Sequence, residues 1–199
     1  AYAARALGHV NQAFLQQELA LQLARRIGDP QWLALTLSEL GKTYVTSHQY
    51  DTAMDYLSQA AAIAHTRNLR TLSAALQNDL GIVLALQGRF PEALAAFQDS
   101  AAGATEENVR ILFVRTRVNA ARVAMQLKRF DEAAAALSEA DNRLSATAIS
   151  HNKADGLINL ALGYRDLATD QPDEHARWLK RSAALLQEAA AMAEESGGK

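Results

Sequence analysis

Arg115, Asn119 and Arg122 follow one another at i, i+4 and i+7, which puts all three on one face of a helix. The chemistry open to such a set is recognition. Two guanidiniums offer forked donors that match a carboxylate. The amide between them offers a donor and an acceptor to an extended backbone. The interval from Asn119 to Asn159 is also the interval at which the rest of the chain repeats, and Asn78 lies one residue off the same series. Catalytic spacings are absent from the sequence: it contains no Gly-rich phosphate loop, no His-Glu-x-x-His and no Gly-x-Ser-x-Gly. There is no Cys, which excludes a thiolate nucleophile, a disulfide framework and Cys-based zinc or iron–sulfur sites. His9, His48, His65, His151 and His175 fall mostly in predicted turns or helix ends and read as solvated side chains. Glu106-Glu107 and Glu194-Glu195 are adjacent in sequence, so their carboxylates diverge on a helix. No enzymatic activity, cofactor or metal is expected.

The elements that position these residues are helices. Of 199 residues, 49% are apolar and only 6% aromatic, with 3 Pro and about a fifth Ala. That composition is too apolar for disorder and too poor in β-branched and aromatic residues for a sandwich or barrel. The net charge of −2 offers no handle for nucleic acid or an anionic membrane. No apolar run approaches the ~18–20 residues of a spanning helix.

The chain repeats itself with a period of about 40 residues. Leu40-Gly41 recurs as Leu80-Gly81, Ala120-Ala121 and Leu160-Ala161. Tyr50-Asp51-Thr52-Ala53 recurs as Phe90-Pro91-Glu92-Ala93 and Phe130-Asp131-Glu132-Ala133. Leu57, Phe97 and Leu137 continue the series, as do Ala60, Ser100 and Ala140. Leu37, Leu40, Gly41 and Tyr44 define one face of a first helix, and Tyr50, Ala53, Leu57 and Ala60 one face of a second. Thr46 to Gln49 forms the turn between them, with counterparts at Gln87-Gly88-Arg89 and Leu127-Lys128-Arg129. The small residues at 41, 81, 121 and 161 let the two backbones of a hairpin approach closely. Gly28-Asp29-Pro30 marks a unit boundary as C-cap, N-cap and first helical position. Asn68 and Asn108 hold the place of Gly28.

These residues resemble the tetratricopeptide repeat (TPR) family. Leu37, Leu40, Gly41 and Tyr44 with Ala53, Leu57 and Ala60 match its pattern throughout, and Leu157, Leu160, Ala161 and Tyr164 match the first-helix half. Gln77 and Arg117 stand where a large apolar residue is expected, and Ala124 replaces the Tyr. The unit is about 40 residues long instead of the commonest ~34, a lengthening found in bacterial regulatory and interaction proteins of this type. The resemblance implies an all-α, right-handed α-solenoid of antiparallel helix hairpins. One repeat domain is expected over 1–199. Residues 1–28 form a partial repeat, 29–68, 69–108 and 109–148 full repeats, and 149–199 a last one.

Counting back one unit from Ala53 puts a second helix at Val10 to Ala13. The chain is then expected to start inside a repeat, with Ala1 to Leu7 as the last two turns of a first helix. At the other end, Thr169 to Glu174 reads as an inserted loop, and the second-helix pattern resumes at Leu179, Ser182, Leu186 and Ala189. The final helix is expected to run to about Ser196. Gln187, Glu188, Glu194 and Glu195 would keep its outer face polar.

In the family, first helices line a concave groove. Mapped onto this sequence, the lining positions are Ser38, Glu39 and Lys42; Asn78, Asp79 and Ile82; Arg115, Asn119 and Arg122; and Ile158, Asn159 and Arg165. The resemblance implies a non-catalytic scaffold that binds a protein or extended peptide there, with an acidic side chain or a terminal carboxylate favoured beside the arginines. The family's chaperone-tail carboxylate clamp is not expected, because Asp79 occupies its central Asn position and Ser38 its first Lys position. Nucleic acid and membrane are not expected partners, and the cytoplasm is the compartment read from the sequence. Two alternatives stand beside this reading. One is the regulatory or sensor arm of a larger bacterial protein, such as a transcription regulator or a protease-linked assembly. The other is an oligomerisation module that uses open solenoid ends or its convex face.

Overall fold

The computed structural model describes residues 2–104, 110–146 and 151–197. Among these the chain forms nine α-helices and no strand: α1 (Tyr2–Ile27), α2 (Pro30–Thr46), α3 (Tyr50–Thr66), α4 (Arg70–Leu86), α5 (Phe90–Gly103), α6 (Arg110–Gln126), α7 (Phe130–Ser145), α8 (His151–Asp170) and α9 (His175–Gly197). A single 3₁₀ turn, Pro172–Glu174, joins the last two. The chain divides into two compact units, residues 1–89 and 90–199.

Local chemistry sets the helix ends at the expected places. The Asp29 carboxylate accepts from the Trp32 N–H at 2.9 Å, with Pro30 following as the first helical residue. The chain takes a left-handed conformation at Gly28 (φ 76°) and, one unit later, at Asn68 (φ 55°). Asn108 lies outside the described residues. A second left-handed series falls inside the hairpins, at His48 (φ 58°), Gly88 (φ 76°) and Lys128 (φ 57°). At each of these turns the next N–H reaches five residues back: Gln49 to the Tyr44 carbonyl at 3.0 Å, and Arg89 to Leu84 and Arg129 to Ala124 at 2.9 Å each. This is the Schellman closure of a helix C-terminus. The repeat therefore copies backbone conformation as well as side-chain type, even where the residue is His or Lys.

In the first unit, α2 packs on α3, and α1 and α4 lie on either side of that pair. Its core holds Leu37, Leu40, Ala53, Leu57, Ala60, Leu76 and Val83. A Cβ placed on Gly41 would meet the Leu57 Cγ at 2.8 Å and the Ala53 carbonyl oxygen at 3.3 Å. The small residue is thus required by the approach of α2 to α3. In the second unit, α6 pairs with α7 and α8 with α9, around Val118, Ala121, Leu137, Leu144, Leu160 and Leu185. Ala121 and Ala161, the register mates of Gly41, are fully buried.

Three expectations need correction. α1 runs unbroken from Tyr2 to Ile27, so residues 2–7 continue the same helix and no turn forms before Val10. The stretch Ala6-Leu7-Gly8-His9 contains no Pro to stop a helix, and here Gly8 stays helical. In α9 the buried series is Trp178, Ser182, Leu185 and Ala189, whereas Leu179 and Leu186 face outward. The cause is Trp178, whose ring stacks on Tyr164 of α8 and turns the helix about its axis. The expected insertion near 169–174 is partly helix. α8 has 20 residues where α2, α4 and α6 have 17.

Candidate functional site

Each unit presents its own first-helix face. In the first unit, α2 supplies Ser38, Glu39 and Lys42, and α4 supplies Asn78 and Asp79. Ser38 and Asn78 are only 4% and 2% exposed and lie beneath that face. The Asn78 amide donates to the Asp79 carboxylate at 3.3 Å. Glu39 and Lys42 are exposed and paired at 2.7 Å, and the Lys42 ammonium also reaches Asp79 across to α4 at 3.7 Å. One cation thus lies between two carboxylates, so this face has no cationic surplus. Behind it, Tyr44 stacks on Tyr56 with ring centroids 5.3 Å apart. Burial, and then the neighbouring Tyr56, push the Tyr44 hydroxyl above its ordinary pKa.

In the second unit, α6 supplies Arg115, Asn119 and Arg122, and α8 supplies Ile158, Asn159 and Arg165. Arg115 is exposed and Asn119 half-buried. Arg122 reaches the Asp166 carboxylate of α8 at 3.4 Å, and Arg165 meets the same carboxylate at 3.0 Å. The Asn159 amide donates to the Asp155 carbonyl one turn earlier at 3.0 Å, so its donor is already engaged. Ile158 is exposed between these polar groups. Three guanidiniums therefore stand on two contacting helices, and Asp166 is shared by two of them. Among the described residues Arg115 has no ion-pair partner. A carboxylate brought to this face would meet donors that are charged, exposed and only partly neutralised.

A further concavity went unread in the sequence. It is an open cleft of about 930 Å³ among α7, the end of α8 and the start of α9. Its floor is a closed polar network. The Asp141 carboxylate of α7 accepts from Arg181 Nε of α9 at 2.6 Å, from Arg181 Nη2 at 2.5 Å and from the Tyr164 hydroxyl of α8 at 3.4 Å. Hydrogen bonding to Asp141 raises the Arg181 pKa further. Burial, and then the Asp141 charge, raise that of the Tyr164 phenol. Trp178 stacks on Tyr164 with centroids 5.6 Å apart, and the Arg177 guanidinium lies 4.3 Å from the Trp178 ring centroid. The Trp178 indole N–H donates to Gln171 Oε1 at 3.2 Å. His175 Nδ1 donates to the Ala168 carbonyl at 2.9 Å, which fixes its tautomer. These bonds consume the polar groups that hold the cleft together, so the network reads as the fastening of the lengthened last unit. The available signal was the pair of aromatics at Tyr164 and Trp178, in a chain with only 2 Trp.

No group of three or more metal-ligating side chains occurs among the described residues, and no helix there is long and apolar enough to cross a membrane.

The fold itself is that of TPR-like helical repeats. A crystal structure of BtubC (BKLC) from P. vanneervenii superposes with a TM-score of 0.70 at 16% identity, covering 98% of this chain and 77% of that one. A putative kinesin light chain from Podosopora anserina, with nearly identical TPR-like repeats, gives 0.66 at 18% identity over 94% and 92% of the two chains. The crystal structure of MamA gives 0.55 at 17% identity over 98% and 95%. No protein-family model and no curated protein matches the sequence.

Proposed function

We propose that the chain is a non-catalytic scaffold that binds a protein or an extended peptide along its first-helix faces, and that the α6/α8 face selects an acidic side chain or a terminal carboxylate. Helical repeats of this type serve as interaction scaffolds as a class. The observation that carries the finer reading is the set of Arg115, Arg122 and Arg165 on two contacting helices, with Asp166 shared between two of them. Asn119 lies between Arg115 and Arg122 in the sequence, one turn from each, and adds an amide suited to a peptide backbone. A face built on packed helices needs little ordering of its own when a ligand arrives. The α2/α4 face contributes contacts through Glu39, Lys42 and Asp79 without a preference for acid, because Lys42 is already held by two carboxylates.

The test uses a random heptapeptide display library selected on the purified chain, followed by fluorescence anisotropy of the enriched peptides. Enrichment of peptides carrying Asp, Glu or a free C-terminus is expected. Binding should weaken by about tenfold or more in an Arg115→Ala/Arg122→Ala variant with unchanged helicity. Enrichment without acidic bias, or equal affinity for the variant, would refute the assignment to this face.

A further inference from the structure

The helix α1 carries an apolar stripe on the side turned away from its neighbour. Phe14, Gln17, Leu21 and Ala24 face inward: the Gln17 amide donates to the Thr43 hydroxyl of α2, and Phe14 and Leu21 join the core of the first unit. At about 100° per residue, Leu15, Leu19, Leu23 and Ile27 fall on the opposite side. They are 62%, 56%, 55% and 61% exposed. The repeat does not require them to be apolar. One unit on, in α3 and just past its end, three of the four positions hold Asp55, Gln59 and Arg67, all exposed. Only Leu23 has an apolar mate, the half-buried Ile63. Four large aliphatics in a row, more than half exposed, form a contiguous apolar patch of the kind that often marks an interaction site.

We propose that this stripe is a homodimer interface, formed by α1 packing antiparallel on α1 of a second copy. The symmetry of the stripe favours a second copy. A two-fold axis near residue 21 sets Leu15 against Ile27 of the other copy and Leu19 against Leu23, so every aliphatic meets an aliphatic. Charge complementarity selects the direction. Glu18 and Arg26, each three residues past a stripe leucine, lie on the same flank of the stripe, and flanks of the same kind meet in an antiparallel pair. Glu18 then stands beside Arg26 of the second copy, twice per interface. A parallel pair would instead set each against the opposite flank, where Gln16 and Ala20 carry no charge. The extent is sufficient. The stripe runs about 18 Å along the helix. Two copies bring together roughly 900 Å² of aliphatic surface, and the flanking Gln16, Glu18, Gln22 and Arg26 carry the total to the ~1,200 Å² where stable specific interfaces begin. The stripe belongs to the first unit and the arginine face to the second, so dimerisation and peptide binding can be tested separately.

Sedimentation velocity of the whole chain at about 1–100 μM tests the proposal. The expected result is a species of twice 21.5 kDa that dissociates on dilution. Leu19→Lys/Leu23→Lys should give a monomer with unchanged circular dichroism, since both side chains are exposed. Glu18→Arg and Arg26→Glu should each weaken the dimer by about tenfold or more, because each sets like charges together twice. The double variant Glu18→Arg/Arg26→Glu should restore it to within about threefold. A wild-type monomer throughout the range would overturn the proposal. So would a dimer that survives the lysine pair, or a charge exchange that fails to restore association. Peptide anisotropy on the lysine variant reads the arginine face independently.

Discussion

Replacing Asp141 by alanine removes one carboxylate that holds three helices together. Its oxygens accept two bonds from Arg181 of α9 and one from Tyr164 of α8, while the residue itself sits on α7. Each charge-assisted bond is worth about 1.5–3 kcal/mol when a partner is deleted. The full amount is not lost, because the Arg181 side chain is 38% exposed and regains water when freed. Tyr164 is only 3% exposed and keeps a hydroxyl without its acceptor, at about 1 kcal/mol. The expected cost of Asp141→Ala is thus on the order of 2 kcal/mol, or a Tm lower by roughly 4–8 °C for a chain of this size. The reverse deletion is more severe. In Arg181→Ala the carboxylate left behind has only 14% of its side chain exposed, and an uncompensated buried charge costs about 3 kcal/mol or more. In the double variant both penalties vanish together, so the two single costs should exceed the double by about 1–2 kcal/mol. Urea unfolding followed by Trp178 fluorescence, in a Trp32→Phe background, reads this network directly because the chain has only 2 Trp. Additivity within about 0.3 kcal/mol, or an Arg181→Ala variant as stable as Asp141→Ala, would refute the account of the pair.

Buried leucines at the register positions should dominate stability. Leu137→Ala, at a fully buried site, is expected to cost about 2–5 kcal/mol in denaturant titration, whereas Leu186→Ala on the outward side of α9 should stay within about 0.5 kcal/mol. Alkaline pH should weaken the second unit through Tyr164. Its phenol is held neutral in the fold, with the pKa raised by burial and Asp141. That contribution is complete below the unfolded value of about 10 and is lost as pH rises beyond it. Unfolding midpoints measured between pH 9 and 11 should therefore fall, and Tyr164→Phe should flatten the slope.

The paired helices were legible because close packing restricts residue type. Gly41 admits no Cβ without displacing Leu57, and Ala53, Leu57 and Ala60 are buried for the same reason, so each unit must repeat small and large residues in one order. The turns were legible where they use Gly, Pro or Asp, as at Gly28-Asp29-Pro30. The hairpin turns were legible as breaks in the pattern, but their left-handed residues were not, since His48 and Lys128 adopt a conformation that their types do not announce. The course of α9 was misread for a related reason. Apolar spacing alone allowed Leu179 and Leu186 to point inward, and only the stacking of Trp178 on Tyr164 decides against it.

The binding faces were less legible, and the reason is physical. A packing position is constrained by the neighbours that the same sequence supplies, so it recurs from unit to unit. A solvent position is constrained only by a partner that the sequence does not contain. Ser38 and Asn78 illustrate the consequence: spacing placed them on the first-helix face, yet both are buried beneath it. The positions that carry information about partners are then those where the repeat is broken against its own interest. Leu15, Leu19 and Ile27 stand where the next unit uses Asp55, Gln59 and Arg67, and exposed leucine and isoleucine at those sites gain nothing for the isolated fold. Arg115, Arg122 and Arg165 likewise crowd cations on one face at a cost in mutual repulsion. In a repeat protein, departures of this kind are the place to look for function, and each is open to a charge exchange or a lysine substitution that leaves the core untouched.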